Sequence, residues 1–166
     1  MEIEWIKNLA DAKLVGGRLV PQHQVKKDEK EGLALEVGLA ELADEVSRVV
    51  SLFNDYRGAN DKISIADLLR RDEDGETSSG FLLIAKGCQL CIERKENRIE
   101  VVFKGRHRFQ ISQYHRGDIR PKIDLFGGVS WVNHEGGNEL SIPRLAKLLL
   151  LDFCSELEAF RTQACR

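Results

Sequence analysis

The chain has 166 residues, of which 42% are hydrophobic and 31% charged, and its formal net charge at pH 7 is -2. This composition is typical of one globular domain with an ordinary core and excludes a chain that is disordered throughout. The first residues include Glu2 and Glu4 and no long apolar run, which argues against a signal peptide or membrane span, so we expect a cytoplasmic protein.

Two segments come before the first long predicted helix. Apolar residues recur at helical spacing ahead of Gly16-Gly17, which predicts a short amphipathic helix. Those apolar residues are Trp5, Ile6, Leu9 and Leu14. The next stretch, 18–32, contains Pro21 and the charge run 26–31, and we expect a mobile linker or a frayed helix start there.

From about Leu33 to Tyr56 an apolar stripe recurs in alternating steps of four and three, which keeps one helix face apolar. The stripe residues are Leu35, Leu39, Leu42, Val46, Val49 and Phe53. Arg57 and Gly58 provide a helix C-terminal signal. An apolar face needs a partner, so this stripe is either core or a candidate helix interface between two copies.

A short third helix is predicted over 64–71. Ser64 and Asp67 form a sequence like a capping box, and Arg70 and Arg71 suit the negative end of the helix dipole. The acidic, glycine-containing stretch 72–80 has nothing to bury and is predicted to be a solvated loop.

After Gly80 the hydrophobic period changes to two, which predicts strands. The predicted runs are 81–85, 89–95, 98–104, 107–114, 119–126 and, less distinctly, 129–132. Turn signals separate them at Gly87, 96–97, Gly105, 117–118 and 127–128. Because connections this short cannot make parallel crossovers, we expect an antiparallel meander.

A long C-terminal helix is predicted over 141–164. Ser141 caps it and Pro143 lies in its first turn. The whole chain, 1–166, is therefore predicted to be one α+β domain with a five- or six-stranded antiparallel meander covered on one face by N-terminal and C-terminal helices. Its predicted parts are a helical 1–71, a loop 72–80, a sheet 81–133 and the last helix.

Alternation along the predicted strands divides their side chains between two faces. The core face is assigned Leu90, Ile92, Ile99, Val101, Phe103, Phe109, Ile111, Ile123 and Leu125. The opposite face gathers six cations that form a candidate anion-binding surface: Lys95, Arg98, Lys104, Arg108, Arg120 and Lys122. Nucleic acid is one possible ligand, but a solvated face with cross-strand ion pairs is favoured, because Tyr114 is the one aromatic residue clearly assigned to it for base stacking.

The motifs that suggest chemistry are weak. Cys88 and Cys91 have CxxC spacing on a strand, and Cys154 and Cys165 do not complete a recognisable metal site. His107 and His115 lie at opposite ends of a predicted strand, so they cannot share a substrate.

The loop around 127–137 offers no firmer signal. His134 and Glu135 with Ser130 nearby do not define a triad, and the glycine pairs lack phosphate-loop spacing. Phe126 and Trp131 are expected to anchor the sheet to a helix. We predict no catalytic residue, no metal site and no cofactor.

The leading hypothesis is a small non-enzymatic binding or accessory protein. It would form a homodimer through its amphipathic helices and recognise a protein or peptide, without a membrane association. Two alternatives are polyanion binding on the cationic face and small-ligand binding between the sheet and the helices.

Overall fold

The computed structural model of the protein describes residues 12–15, 18–71, 77–107, 110–126, 128–133 and 137–164. In these residues a short hairpin precedes a long helix, a seven-stranded antiparallel sheet follows, and a second long helix comes last. The hairpin strands are β1 (Ala12–Val15) and β2 (Arg18–Pro21), and the helices are α1 (Gln22–Asp55) and α2 (Ile142–Ala164). The sheet consists of β3 (Ser64–Arg71), β4 (Thr77–Ala85), β5 (Cys88–Lys95), β6 (Arg98–His107), β7 (Gln110–Ile123), β8 (Val129–Asn133) and β9 (Glu139–Leu140).

The sheet is a meander in which each strand pairs with the next one along the chain. This confirms the predicted α+β class and antiparallel sheet, with seven strands in place of five or six. The sequence does not predict β3 and β9 as strands, and it divides β7 into two. Helices α1 and α2 pack on each other and on the same side of the sheet, which we call the inner face. The opposite side is the outer face.

The predicted third helix at 64–71 is wrong, because this segment is β3 and pairs with β4 along its whole length. The capping and dipole signals there stabilise a helix by only about 1 kcal/mol each, whereas β4 without this partner would be an open edge. The same pairing extends β4 back to Thr77, so 77–80 are strand and not loop. Residues 72–76 of the predicted loop lie outside the described residues.

The predicted turn at Gly105 is also wrong, since Gly105 lies inside β6. The ring of Phe160 on α2 packs so closely there that a Cβ at residue 105 would lie 2.6 Å from it. The glycine therefore permits contact between sheet and helix and does not end a strand.

Strand β7 contains a β-bulge where a turn was predicted. Val102 pairs with His115 but Val101 pairs with Gly117, so Arg116 is an extra residue on β7. Gly117 has a φ of +154° at this point. One extra residue shifts the alternation of side chains, so the faces predicted for residues before the bulge are reversed.

The reversal explains which predicted core residues are misplaced. Tyr114, predicted for the outer face, contacts Phe103 on the inner face with ring centroids 5.2 Å apart. Ile111, predicted for the core, is 72% exposed. Leu125 is also exposed, because β7 ends at Ile123 and leaves it in the following turn. Phe109 lies outside the described residues.

Helix α1 begins at Gln22 and not near Leu33, so of the two alternatives for 18–32 the linker is wrong and the helix start is closer to the structure. Residues 27–30 of the charge run are exposed on the helix, and Lys27 and Glu31 are 3.8 Å apart as an i,i+4 pair. Leu14, predicted to be helical, lies in β1 and pairs with Leu19 of β2. The other residues of the predicted N-terminal helix, 5–9, lie outside the described residues.

The core lies between the helices and the inner face. Five predicted core residues of β5 and β6 are confirmed as buried: Leu90, Ile92, Ile99, Val101 and Phe103. Trp131 of β8 is buried against α1 at Gly38, where a Cβ would lie 2.0 Å from the indole ring. The prediction that Trp131 anchors the sheet to a helix is therefore confirmed.

Polar contacts attach β7 to α2. The Tyr114 hydroxyl donates to Glu156 Oε2 at 2.6 Å, and Arg116 Nε donates to Asp152 Oδ2 at 3.1 Å. Arg116 Nη1 also lies 2.8 Å from Glu156 Oε1. Burial, followed by the hydrogen bond to Glu156, raises the pKa of Tyr114 to about 12.

Candidate functional site

The five described cations of the candidate anion-binding surface share the outer face but not one location. The pair Lys95 and Arg98 lies at one end of β5 and β6, and Arg120 and Lys122 follow on β7. Lys104 lies six residues from Arg98 along β6, a separation of about 20 Å. The side chain of Arg108 lies outside the described residues.

Three of these cations contact carboxylates on the same face. Lys95 Nζ lies 3.2 Å from Glu93, Arg98 Nε lies 3.2 Å from Asp118, and Lys122 contacts Glu139. The hydrogen bond from Lys122 lowers the pKa of Glu139. These pairs reduce the positive potential available to a polyanion.

The six stripe residues of α1 face the chain's own core. Leu35, Leu39, Leu42 and Val46 are buried, and Val49 and Phe53 are partly buried against the same cluster. Their apolar surface is therefore already covered by the sheet and α2. Other side chains would have to make a contact with a second copy.

An apolar groove lies beside the stripe, between the N-terminal half of α1 and the turn that joins β7 to β8. Leu33 and Val37 form its helical wall, Ile123 and Val129 form the opposite wall, and Trp131 lies at its base. Its volume is about 590 Å³. Leu33 is 62% exposed and Val129 is 46% exposed, so the walls are open to solvent.

The turn between β7 and β8 presents two large apolar side chains next to the groove. Leu125 and Phe126 are fully exposed, at 101% and 97%. Phe126 was expected to anchor the sheet to a helix, and in the structure its side chain projects into solvent. We call Leu125 and Phe126 the apolar tip.

Asp124 fixes the backbone that carries the apolar tip. Its Oδ1 accepts hydrogen bonds from the backbone N–H of Phe126 at 2.8 Å and of Gly128 at 2.7 Å. Its own N–H donates to the Gly128 carbonyl at 2.9 Å. An aspartate that bonds to the following backbone in this way stabilises a tight turn. These bonds connect the residues on both sides of the tip.

Charged side chains border the groove on both sides. Lys30 and Glu41 lie on α1, and Asp124 lies at the base of the apolar tip. An apolar centre with a charged rim is the usual composition of a protein interface.

The cysteines of the CxxC sequence do not meet. Cys88 points to the inner face and Cys91 to the outer face, because residues three apart on a regular strand alternate. Burial raises the pKa of the Cys88 thiol and also that of Cys154 on α2. The CxxC pair therefore cannot bind one ion or form one disulfide in this fold.

Two further polar residues, Ser130 and His115, each contact a carboxylate in the structure. Ser130 donates to Glu139 at 3.3 Å, while His134 and Glu135 lie outside the described residues. His115 approaches Asp118, with 2.9 Å between Nε2 and Oδ1, which the sequence does not predict because a glycine in a bulge gives the same local signal as a glycine in a turn. The sequence contains one signal for the groove that its periodicity does not reveal: the apolar pair 125–126 lies immediately before two glycines between two predicted strands.

Comparisons with protein-family models, curated proteins and solved structures found no match for the chain. Within the described residues, neither α1 nor α2 combines the length and the apolar character needed to cross a membrane. Function therefore has to be inferred from the geometry of the site.

Proposed function

We propose that the chain is a non-enzymatic binding protein whose binding surface consists of the groove and the apolar tip, and that this surface binds a second copy of the chain. The observation that carries the proposal is the position of two fully exposed apolar side chains, Leu125 and Phe126, beside an open apolar groove. Exposed apolar patches of this kind mark interaction sites in otherwise ordinary proteins.

A second copy fits this surface because it carries both halves of a contact. The tip protrudes and the groove beside it is concave, so a two-fold axis between them places each tip in the groove of the other copy. The rim has charges of both signs, with Lys30 opposite in sign to Asp124. A two-fold contact lets each Lys30 approach the Asp124 of the other copy and makes that pairing twice.

The expected affinity is moderate. Burying one Leu or Phe side chain contributes about 1.5–3 kcal/mol, so four tip side chains in a dimer contribute roughly 6–12 kcal/mol. Association costs roughly 4–15 kcal/mol in lost translational and rotational freedom. The groove walls must therefore contribute as well, and we expect a dissociation constant on the order of micromolar.

Analytical ultracentrifugation over a range of concentrations tests the proposal. The wild-type chain is expected to change from monomer to dimer as its concentration rises. Phe126→Asp and Val37→Glu each place a charge in the contact and are expected to raise the dissociation constant at least tenfold.

The matched control is Ile111→Asp. Ile111 is also an exposed apolar residue, but it lies on the outer face away from the groove, so this variant should dimerise like the wild type. Circular dichroism confirms that each variant is folded. A wild-type chain that stays monomeric at high concentration, or a Phe126→Asp variant that dimerises normally, would contradict the proposal.

The groove supports the small-ligand alternative less well. Its volume falls within the usual range for ligand pockets, about 300–1,000 Å³, but ligand pockets enclose most of their ligand. Walls as exposed as Leu33 and Val129 leave a small molecule largely in water.

A further inference from the structure

A histidine and two carboxylates come together on the outer face at the β7 bulge. His115 Nε2 lies 2.9 Å from Asp118 Oδ1 and 3.9 Å from Glu100 Oε1. One possible ligand atom of each residue lies within 4.8 Å of the other two. Ligand atoms around one metal ion are about 3–3.5 Å apart when each bond is about 2.1 Å long. Small side-chain rotations would therefore complete a three-ligand set.

The bulge creates this arrangement. Residues three apart on a regular strand point to opposite faces, so His115 and Asp118 would normally be separated by the sheet. The extra residue Arg116 brings both to the outer face, next to Glu100 on β6. Bulges commonly redirect side chains at functional sites.

A row of carboxylates crosses three strands at this site and is partly neutralised by lysine and arginine neighbours. Glu93 of β5 is directly opposite Glu100 of β6, and Glu100 is directly opposite Asp118 of β7. Like charges directly opposite each other destabilise a sheet. A divalent cation beside His115 would offset the repulsion between Glu100 and Asp118.

We propose that Glu100, His115 and Asp118 bind a divalent transition metal ion of the zinc and cobalt type. The imidazole nitrogen favours this class over calcium or magnesium, which take oxygen ligands. All three side chains are partly exposed, so water can complete the coordination.

Arg98 forms an ion pair with one of the three residues. Its Nε lies 3.2 Å from Asp118 Oδ2 without hydrogen-bond geometry, whereas the contact with His115 uses Oδ1. The ion pair therefore leaves Oδ1 for the metal.

Titration of the full chain with Co²⁺, followed by calorimetry and visible absorbance, tests the proposal. The wild type is expected to bind one ion with the spectrum of nitrogen and oxygen ligands. His115→Ala and Asp118→Asn are expected to weaken binding at least tenfold. Zn²⁺ should raise the melting temperature of the wild type and not that of His115→Ala, because ligand binding stabilises the folded state.

The matched control is Glu139→Gln, which removes a carboxylate from the Lys122 ion pair on the same face. It should bind Co²⁺ as the wild type does. Three results would overturn the proposal: no binding by the wild type, unchanged affinity in His115→Ala, or the intense near-ultraviolet band of a cobalt–thiolate bond, which would place the ion at a cysteine. Circular dichroism of each variant separates loss of the ligand from loss of the fold.

Discussion

Gly38 is the residue on which the close packing of α1 and the sheet depends. A Cβ at residue 38 would lie 2.0 Å from the buried Trp131 ring, which is far shorter than the contacts that real Cβ atoms make. We expect Gly38→Ala to destabilise the protein by up to about 2 kcal/mol, because the overpacking cost of about 1–3 kcal/mol is offset by a helix propensity gain of about 1 kcal/mol. Urea unfolding measures the difference.

Gly32 provides the control within the same helix. A Cβ there would lie 3.5 Å from Arg94 Nη2, an ordinary contact. Gly32→Ala should therefore keep the propensity gain and stabilise the protein by up to about 1 kcal/mol. If both variants shift stability in the same direction, the inferred contact between Gly38 and Trp131 does not decide the result.

The raised pKa of Tyr114 predicts that the stability of the protein depends on pH in the alkaline range. Its pKa is raised from 10.0 to about 12 in the folded protein, so the folded state favours the neutral phenol. Its contribution to stability is fully present below pH 10, where the phenol is neutral in both states, and is lost as the pH rises through about 12.

Ultraviolet titration of tyrosinate checks this prediction. The chain has two tyrosines, so Tyr56→Phe leaves Tyr114 as the remaining one. Its midpoint should lie near pH 12, and Glu156→Gln should move it toward 10 by removing a negative charge and a strong acceptor. A midpoint near 10 in the Tyr56→Phe variant would show that neither burial nor the bond to Glu156 raises the pKa of Tyr114.

At the level of elements, the side chain of Asn54 bonds the end of α1 to the residue that precedes β3. Asn54 Nδ2 donates to the Ile63 carbonyl at 2.8 Å, and Asn54 Oδ1 accepts from the Ile63 N–H at 2.9 Å. Ile63 is buried. Asn54→Ala would leave both backbone groups without these partners, and we expect a loss of about 1–3 kcal/mol in unfolding free energy.

The control for Asn54 lies one turn earlier on the same helix. Ser51 is exposed, so Ser51→Ala should change stability by less than about 0.5 kcal/mol. Denaturant unfolding of the two variants side by side measures both values. Equal effects would mean that the Asn54 contacts do not stabilise the connection.

The sequence predicts those elements whose periodicity is long and uninterrupted. The stripe of α1, the apolar spacing of α2 and the hairpins from β4 to β6 are all correct in type because burial repeats at 3.6 or 2 residues. Strand β3 has no such signal: Ile65 and Leu68 are spaced as a helix would place them, and only pairing with β4 makes the segment extended. The local sequence of this segment does not indicate that it pairs with β4.

The bulge limits prediction of the sites in a different way. A single extra residue, Arg116, reverses the faces of Tyr114 and Ile111 and joins His115 to Asp118. Glycine at 117 indicates a break in regular structure, but a turn and a bulge give the same signal. The groove escapes prediction because Leu33 and Val37 lie beside the apolar stripe and not on it.

Charge across the whole molecule favours apolar association over polyanion binding. Residues 77–122 carry 10 basic and 4 acidic side chains. On the outer face, however, Lys95, Arg98 and Lys122 each contact a carboxylate, and Lys104 lies far from them. The positive charge is thus divided and partly neutralised, whereas the apolar tip and groove lie together.

The proposed self-association through the tip and groove would link the stability of the whole molecule to its concentration. A partner that binds only the folded chain stabilises it by mass action, so the melting temperature of the wild type should rise as protein concentration rises. For a dimer, each tenfold increase in concentration adds up to about 1.4 kcal/mol per dimer. For Phe126→Asp the rise in melting temperature should begin at a concentration at least tenfold higher than for the wild type, while Ile111→Asp follows the wild type. Differential scanning calorimetry from low to high micromolar concentration measures the melting temperatures of all three proteins. A wild-type melting temperature that does not change with concentration would contradict the proposed interface.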